Sequence, residues 1–188
     1  MRIQPLIALV PALALAACGG APVKPPHPAP PPPAAGTVRQ AEAALAPASA
    51  SLVSGRVVFV AVPGGAHLTG TVGGLAPGGR FGFHVHEKGD CSAVDASSAG
   101  GHFNPTGAPH GRAEAGPHHA GDMDNLVADA DGTANVDVHL AGVTLGGGAA
   151  TDIVGRALIV HGGTDDYTSQ PAGNAGARVA CGVIRAAP

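Results

Sequence analysis

His84-Val85-His86 opens the stretch that most constrains what this chain can fold into. From His84 to Asp122 the sequence runs H-V-H-E-K-G-D-C, then G-G-H-F-N-P, then G-A-P-H-G and H-H-A-G-D. It holds His84, His86, His102, His110, His118 and His119, six of the chain's ten histidines, together with Asp122. Such a concentration points to a metal site, and a metal site needs a scaffold that brings distant segments to one point. Residues i and i+2 of a strand face the same way, so His84 and His86 can reach one ion while Val85 points to the opposite side. Between His102 and Asp122 the chain is rich in Gly, Pro and Ala, without helical or strand period, which predicts a loop. A loop of that length in a compact domain is usually functional or disordered, and metal ligands give it a reason to be ordered. Beyond this stretch the apolar run R-A-L-I-V-H ends on His161.

Ligand type sorts these residues into two sets. His84, His86, His161 and His102 are all nitrogen donors, which suits copper, the head of the affinity order among divalent first-row metals. His110, His119 and Asp122, again with His102, give three nitrogens and one oxygen, a closed set suited to zinc. An imidazole has two nitrogens, so His102 can serve both ions; spacing leaves that sharing open.

The scaffold reads as strands. Runs of Val, Ile, Leu and Phe between Gly-rich turns predict strands near 52–62, 66–74, 80–87, 125–130, 133–140, 153–161 and 178–185. Pro63-Gly64-Gly65 and Asp131-Gly132 are turn signals. No segment sustains a 3.6-residue apolar period, so the fold class is all-β. Residues 37–46 suggest at most a short helical turn. With four Phe, one Tyr and no Trp, the core must be packed by Val, Leu, Ile and Ala.

The motifs G-F-H-V-H-E-K-G-D-C, G-G-H-F-N-P, H-x8-H-x2-D from His110, G-R-A-L-I-V-H and G-N-A-G-A-R-V-A-C-G-V-I resemble copper/zinc superoxide dismutase in content, order and spacing. The resemblance spans roughly residues 51 to 186 and is closest to the exported bacterial branch of that family. It implies a Greek-key β-sandwich closed into a flattened eight-stranded barrel with long metal-binding loops. It implies a copper held by His84, His86, His102 and His161, and a zinc held by His102, His110, His119 and Asp122. It pairs Cys91 with Cys181, whereas two buried free thiols are the alternative. It makes Asp165 the carboxylate that accepts from one copper and one zinc histidine, where the bland alternative is a loop-turn aspartate beside Asp166. It places Arg178 over the copper to receive superoxide, the alternative being a solvated charge at a strand edge. His102 would take up a proton as copper is reduced and pass it to the peroxide, so His102 and Arg178 are the catalytic candidates.

Only His119, not His118, keeps the H-x2-D spacing. His67 and His139 fall on separate strands without a partner and read as surface residues. Asn104-Pro105, Gly100 and Gly101 read as shapers of the ligand loop. The segment between His161 and Arg178 has no lysine, unlike the charged guidance loop of eukaryotic relatives, and Ala172 stands where those relatives have threonine. Lys88 and Arg112 are then the candidates for steering the anion.

At the N-terminus, residues 1–17 carry Arg2 and then an apolar run too short to span a bilayer, which reads as a secretory signal. Leu15-Ala16-Ala17-Cys18 resembles a lipoprotein cleavage box, implying a lipid on Cys18; ordinary cleavage nearby is the alternative. Gly19 and Gly20 lack the aspartate of an inner-membrane retention signal, which favours the outer membrane. Residues 18–50, Pro/Ala-rich over 21–36, read as a semi-rigid spacer with a solvated His27, ahead of one domain at 51–188. The net charge of −3 becomes −4 when Arg2 leaves with the signal, and a chain that is not basic argues against nucleic acid as a partner. The expected enzyme is a lipid-anchored superoxide dismutase of the periplasm or cell envelope, monomer or homodimer. A periplasmic metal buffer and a structural envelope lipoprotein are the rivals.

Overall fold

The computed structural model describes residues 36–188 apart from residue 114. The signal, Cys18, His27 and most of the Pro/Ala-rich spacer lie outside the described residues. Ten strands follow in order: β1 Gln40–Pro47, β2 Ser54–Val62, β3 Gly65–Gly73, β4 Arg80–Phe81, β5 Phe83–His86, β6 Leu126–Val127, β7 Ala134–Ala141, β8 Ala157–His161, β9 Arg178–Val183 and β10 Arg185–Ala186. There is no α-helix among the described residues. Each of the seven segments expected to be extended contains a strand.

The main sheet has the order β5-β8-β9-β1-β2-β3-β7, with β10 also pairing β1. Its strands pair antiparallel. β4 and β6 form a separate ribbon. β4 runs through Gly82 into β5 at one end of the sheet, and β6 leads into β7 at the other. The ribbon thus ties the two ends together and the sheet curls into a flattened barrel. The chain crosses from β3 to the far end at β4 and β5, and again from β7 to β8, which are the long connections of a Greek key.

One residue in two points inward. Ala41, Ala43 and Leu45 of β1, Val57 and Phe59 of β2, Leu68 of β3, Phe83 and Val85 of β5, and Leu158 and Val160 of β8 share one buried cluster. All four phenylalanines, Phe59, Phe81, Phe83 and Phe103, belong to it. β5 and β8 are also buried on their other face. There the alternate residues His84, His86 and His161 point away from the barrel interior and are covered by the long loops.

β1 corrects the sequence reading. Residues 40–47, expected to lie in a linker with a helical turn, form an interior strand between β2 and the β9–β10 segment. Gln40-Ala41-Glu42-Ala43-Ala44-Leu45 is made of good helix formers, yet Ala41, Ala43 and Leu45 are buried with a period of two. β2 offers six partnered positions along it. The burial available in the sheet overrides an intrinsic helix preference of at most about 0.7 kcal/mol per residue. The domain therefore begins ahead of residue 51.

Cys91 and Cys181 are bonded, with Cα atoms 5.8 Å apart. The bridge ties the loop that follows β5 to β9. Closing 90 residues is worth about 4 to 5 kcal/mol in the loop-entropy picture, often less in practice.

Candidate metal centre

β5 supplies His84 and His86, and β8 supplies His161 at its last residue. An isolated bridge between His86 and His102 brings the ligand loop alongside β5, and a second bridge pairs His84 with Asp122. The structure thereby gathers His84, His86, His102 and His161, each offering one ring nitrogen, with all four nitrogens within 4.8 Å of one another. Three of these rings are aimed by hydrogen bonds on their far side. His84 Nε2–H donates to Asp165 Oδ2 at 2.8 Å, His86 Nδ1–H to the Gly100 carbonyl at 2.9 Å, and His161 Nδ1–H to the Gly176 carbonyl at 3.2 Å. Fixing the tautomer in this way leaves the opposite nitrogen free to give a lone pair.

The second cluster is His102, His110, His119 and Asp122, again within 4.8 Å. His102 belongs to both. Its Nδ1 lies 2.8 Å from Asp122 Oδ1, and its Nε2 faces the other set. Asp122 also accepts the backbone N–H groups of Gly111 and His119 on Oδ2, at 3.2 and 2.9 Å. His110 Nε2–H donates to Asp165 Oδ1 at 3.0 Å. Asp165 therefore bridges one ring of each cluster, His84 through one oxygen and His110 through the other, and its side chain is fully buried.

The donors fit metal ions. His84 Nδ1, His102 Nε2, His110 Nδ1 and His119 Nδ1 are buried without a well-aligned hydrogen-bond partner among the described residues, the last two lying 3.0 and 3.3 Å from the Asp122 carboxylate. A buried polar atom left unpaired costs about 1–3 kcal/mol. Four of them, converging in two adjoining cages, are accounted for if each is a ligand atom. An all-imidazole cage suits copper and a three-nitrogen, one-oxygen cage suits zinc.

Side chains that spacing does not reveal hold these cages in place. Gln170 clasps the backbone of His110 from both sides, accepting its N–H and donating to its carbonyl, each at 2.9 Å. Asn125 does the same for Asp165, at 2.8 and 2.9 Å. Both join segments distant in sequence, so no local pattern announces them. Gly173 sits with φ +63° against Asp165 and His110, where a Cβ would collide with the bridging carboxylate. Asn104 clasps Ala108 in the ligand loop at 2.8 and 3.0 Å.

Burial sets the protonation of the cages. It pushes His84 down to about 4, His86 to about 2 and His161 to about 3. The three rings are thus neutral, the form that binds metal. At His110 burial works the same way but is outweighed by the carboxylates of Asp122 and Asp165, which lift it to about 9. Burial also opposes charge on Asp122 and Asp165, yet their histidine partners hold both well below the ordinary carboxylate range.

These directions fix how the metal-free protein responds to pH. A histidine with a folded pKa below its unfolded value of about 6.5 takes its proton more readily when unfolded. Its contribution is complete above about pH 6.5 and is lost as the pH falls toward the folded values, at up to about 1.4 kcal/mol per pH unit for each group. His110 acts oppositely, its stabilisation fading as pH rises toward about 9. The melting temperature of the metal-free protein should therefore peak near neutrality and fall steeply between about pH 6.5 and 4. A thermal-unfolding series with a flat profile across that window would show that the three rings are not held neutral.

One opening leads to the first cluster. A cavity of about 300 Å³ is lined by His86, His102, His161, Ala172 and Arg178, among others. Half-buried Arg178 donates to the carbonyls of Ala96 at 2.7 Å and Gly100 at 2.5 Å. The Gly100 carbonyl thus serves both Arg178 and His86. Arg112, expected from the sequence as a steering charge, is instead held in a two-point pair with Asp124 at 2.9 and 2.8 Å, its guanidinium 5.2 Å from the Tyr167 ring centre. The neighbouring carboxylate offsets much of its charge, which makes it a poor guide for anions. Lys88 is exposed. His118 turns away from the cages, with its Nδ1 on the Gly116 carbonyl at 2.7 Å. His67 and His139, expected to stand alone, face each other across β3 and β7, because the hairpin register puts them at the same level.

Residues 53–184 match the family model for copper/zinc superoxide dismutase. The chain is 48% identical over 115 residues to copper-zinc superoxide dismutase 2 of Aquifex aeolicus (strain VF5), covering 60% of this chain and 67% of that protein. It is 46% identical over 114 residues to copper-zinc superoxide dismutase 1 of the same organism, covering 59% and 68%. Among solved structures it resembles a double mutant of a SOD-like protein from Bacillus subtilis, with a TM-score of 0.69, 36% identity, and coverage of 77% of this chain and 96% of that one.

Proposed function

Because this chain belongs to the copper/zinc superoxide dismutase family, we propose that His84, His86, His102 and His161 hold its copper and that His102, His110, His119 and Asp122 hold its zinc. Dismutation of superoxide to oxygen and hydrogen peroxide with these two metals is the activity of that family. The observation that carries the ligand assignment is the pair of buried cages with His102 in common. When bound, copper supplies a one-electron couple that one superoxide reduces and the next reoxidises, while zinc supplies fixed charge and no redox chemistry.

The chain's own residues do the rest. The carbonyls of Gly100 and Gly176 and the carboxylate of Asp165 lock the rings of His86, His161 and His84 in the ligating tautomer. We assign the proton for the departing peroxide to His102 Nε2, which is buried beside the cavity. Arg178, on the cavity wall, receives the anion. The covering loops bury the ligand rings, and the cavity gives access to His86, His102 and His161. Protein loaded with both metals should consume superoxide rapidly in pulse radiolysis, and metal-free protein should not. A fully metallated chain inert toward superoxide would overturn the reading.

The enzyme works in the cell envelope, removing superoxide there. This location is supported by the apolar leader, by the Leu15-Ala16-Ala17-Cys18 cleavage box with a Pro/Ala-rich spacer behind it, and by a disulfide of the kind that persists in oxidising compartments. A lipid on Cys18 tethers it, with the outer membrane favoured. Cys18→Ser should move the protein from the membrane fraction to the soluble envelope fraction. A native protein that already fractionates as soluble, with no lipid mass on its mature N-terminus, would refute the tether.

A further inference from the structure

His67 on β3 and His139 on β7 occupy directly opposed positions of an antiparallel pair. Opposed residues share a face of the sheet, with Cβ atoms about 4.5–5.5 Å apart. Asp137 lies two residues before His139 on the same strand, hence on that face as well. Two of the three already meet, for His67 Nε2 and Asp137 Oδ1 are 2.7 Å apart, and the exposed His139 ring must turn toward them to complete the set. His67 and Asp137 are open to solvent, with side chains 43% and 83% exposed. Two imidazoles and one carboxylate make a donor set for a borderline divalent ion, with metal–nitrogen distances of about 2.0–2.1 Å within reach of an opposed pair.

The place of this trio matters as much as its chemistry. Asp137 and His139 line a cleft of about 290 Å³ that is also lined by His118 and Asp122. Asp122 is a member of the buried three-nitrogen, one-oxygen cage, and His118 adjoins its member His119. An ion held at the outer trio therefore sits on the cleft that backs onto that cage. Asp124, on the same cleft, is occupied by Arg112 and is not counted as a donor.

We propose that His67, Asp137 and His139 form a further, exchangeable zinc site on the outer face of the barrel, from which the buried zinc cage is loaded. Three protein ligands leave a coordination position for water, which suits capture and release better than permanent retention. The loading step rests on the zinc reading of the buried cage; the outer site does not.

The test begins with full-length protein already carrying copper and zinc. Equilibrium dialysis against zinc chloride should show one further zinc per chain, absent in His67→Asn, in His139→Asn and in the double variant, with superoxide consumption unchanged in all three. Asp137→Asn should weaken that uptake without changing the fold, as judged by circular dichroism. No uptake beyond the buried metals, or uptake that survives in the double variant, overturns the site. Stopped-flow addition of zinc to metal-free protein should then fill the buried cage several-fold more slowly in the double variant than in wild type. Equal filling rates overturn the loading step. Failure of the zinc reading itself would look different, as a buried cage that takes up no zinc in wild type.

Discussion

Arg178→Ile should lower the rate constant for superoxide consumption by roughly 10 to 1,000-fold, the span over which local fields change association rates, with both metals still bound. Superoxide is an anion and the chain carries a net charge of −3, so its global field repels the substrate. The positive charge at the cavity must overcome that repulsion locally. Arg112 cannot share the task, since Asp124 holds it in a two-point pair, so Arg112→Gln should change the rate little. Lys88, exposed, should give a small loss confined to low salt. Raising salt from 0.1 M to 1 M shortens the screening length from about 10 Å to about 3 Å, so the wild-type rate should fall with ionic strength despite the negative net charge. Arg178→Lys should keep more activity than Arg178→Ile. Copper content must be measured beside the rate, because Arg178 shares the Gly100 carbonyl with His86. A fully metallated Arg178→Ile protein as fast as wild type would remove Arg178 from substrate capture.

Asp165→Ala should strip zinc from the protein although Asp165 touches neither proposed ion. Its carboxylate accepts from His84 Nε2, His110 Nε2 and the Tyr167 N–H. Removing it leaves two buried donors, the ring N–H groups of His84 and His110, unpaired at about 1–3 kcal/mol each, together with the half-buried Tyr167 N–H. Loss of such an orienting partner typically costs about 10–100-fold in metal affinity. Copper should survive better, since His86 and His161 keep their own carbonyl partners. Asp165→Asn should fall between, because the amide can accept on only one side. The measurement is metal per chain after dialysis against a chelator, with thermal unfolding alongside. Zinc retained at the wild-type level would show that the bridge is incidental to binding.

Much of the site was legible in the sequence because ligands obey short-range rules. Alternation put His84 and His86 on one face of β5, and sorting by donor type gave the same two groups of side chains that the structure gathers. What escaped were contacts between distant segments. Gln170 and Asn125 are ordinary amides until the loop from 162 to 177 folds over the ligand loop. The opposition of His67 and His139 depends on hairpin register, which neither residue encodes alone. β1 escaped for a related reason. Its alanines and Leu45 satisfy both a helix and a strand, and only the neighbouring strands decide between them.

The loop from Cys91 to Gly100 is fastened to β9 at two points. Cys181 grips its beginning, and Arg178, three residues earlier on the same strand, grips its end through Ala96 and Gly100. The second fastening also carries the carbonyl that aims His86. A chain whose cysteines are still reduced keeps Arg178 and backbone bonds such as Ser49 N–H to the Val94 carbonyl and Lys88 N–H to the Ala99 carbonyl, but loses the covalent hold on the start of the loop. The bridge that staples the fold therefore also steadies the loop that aims His86.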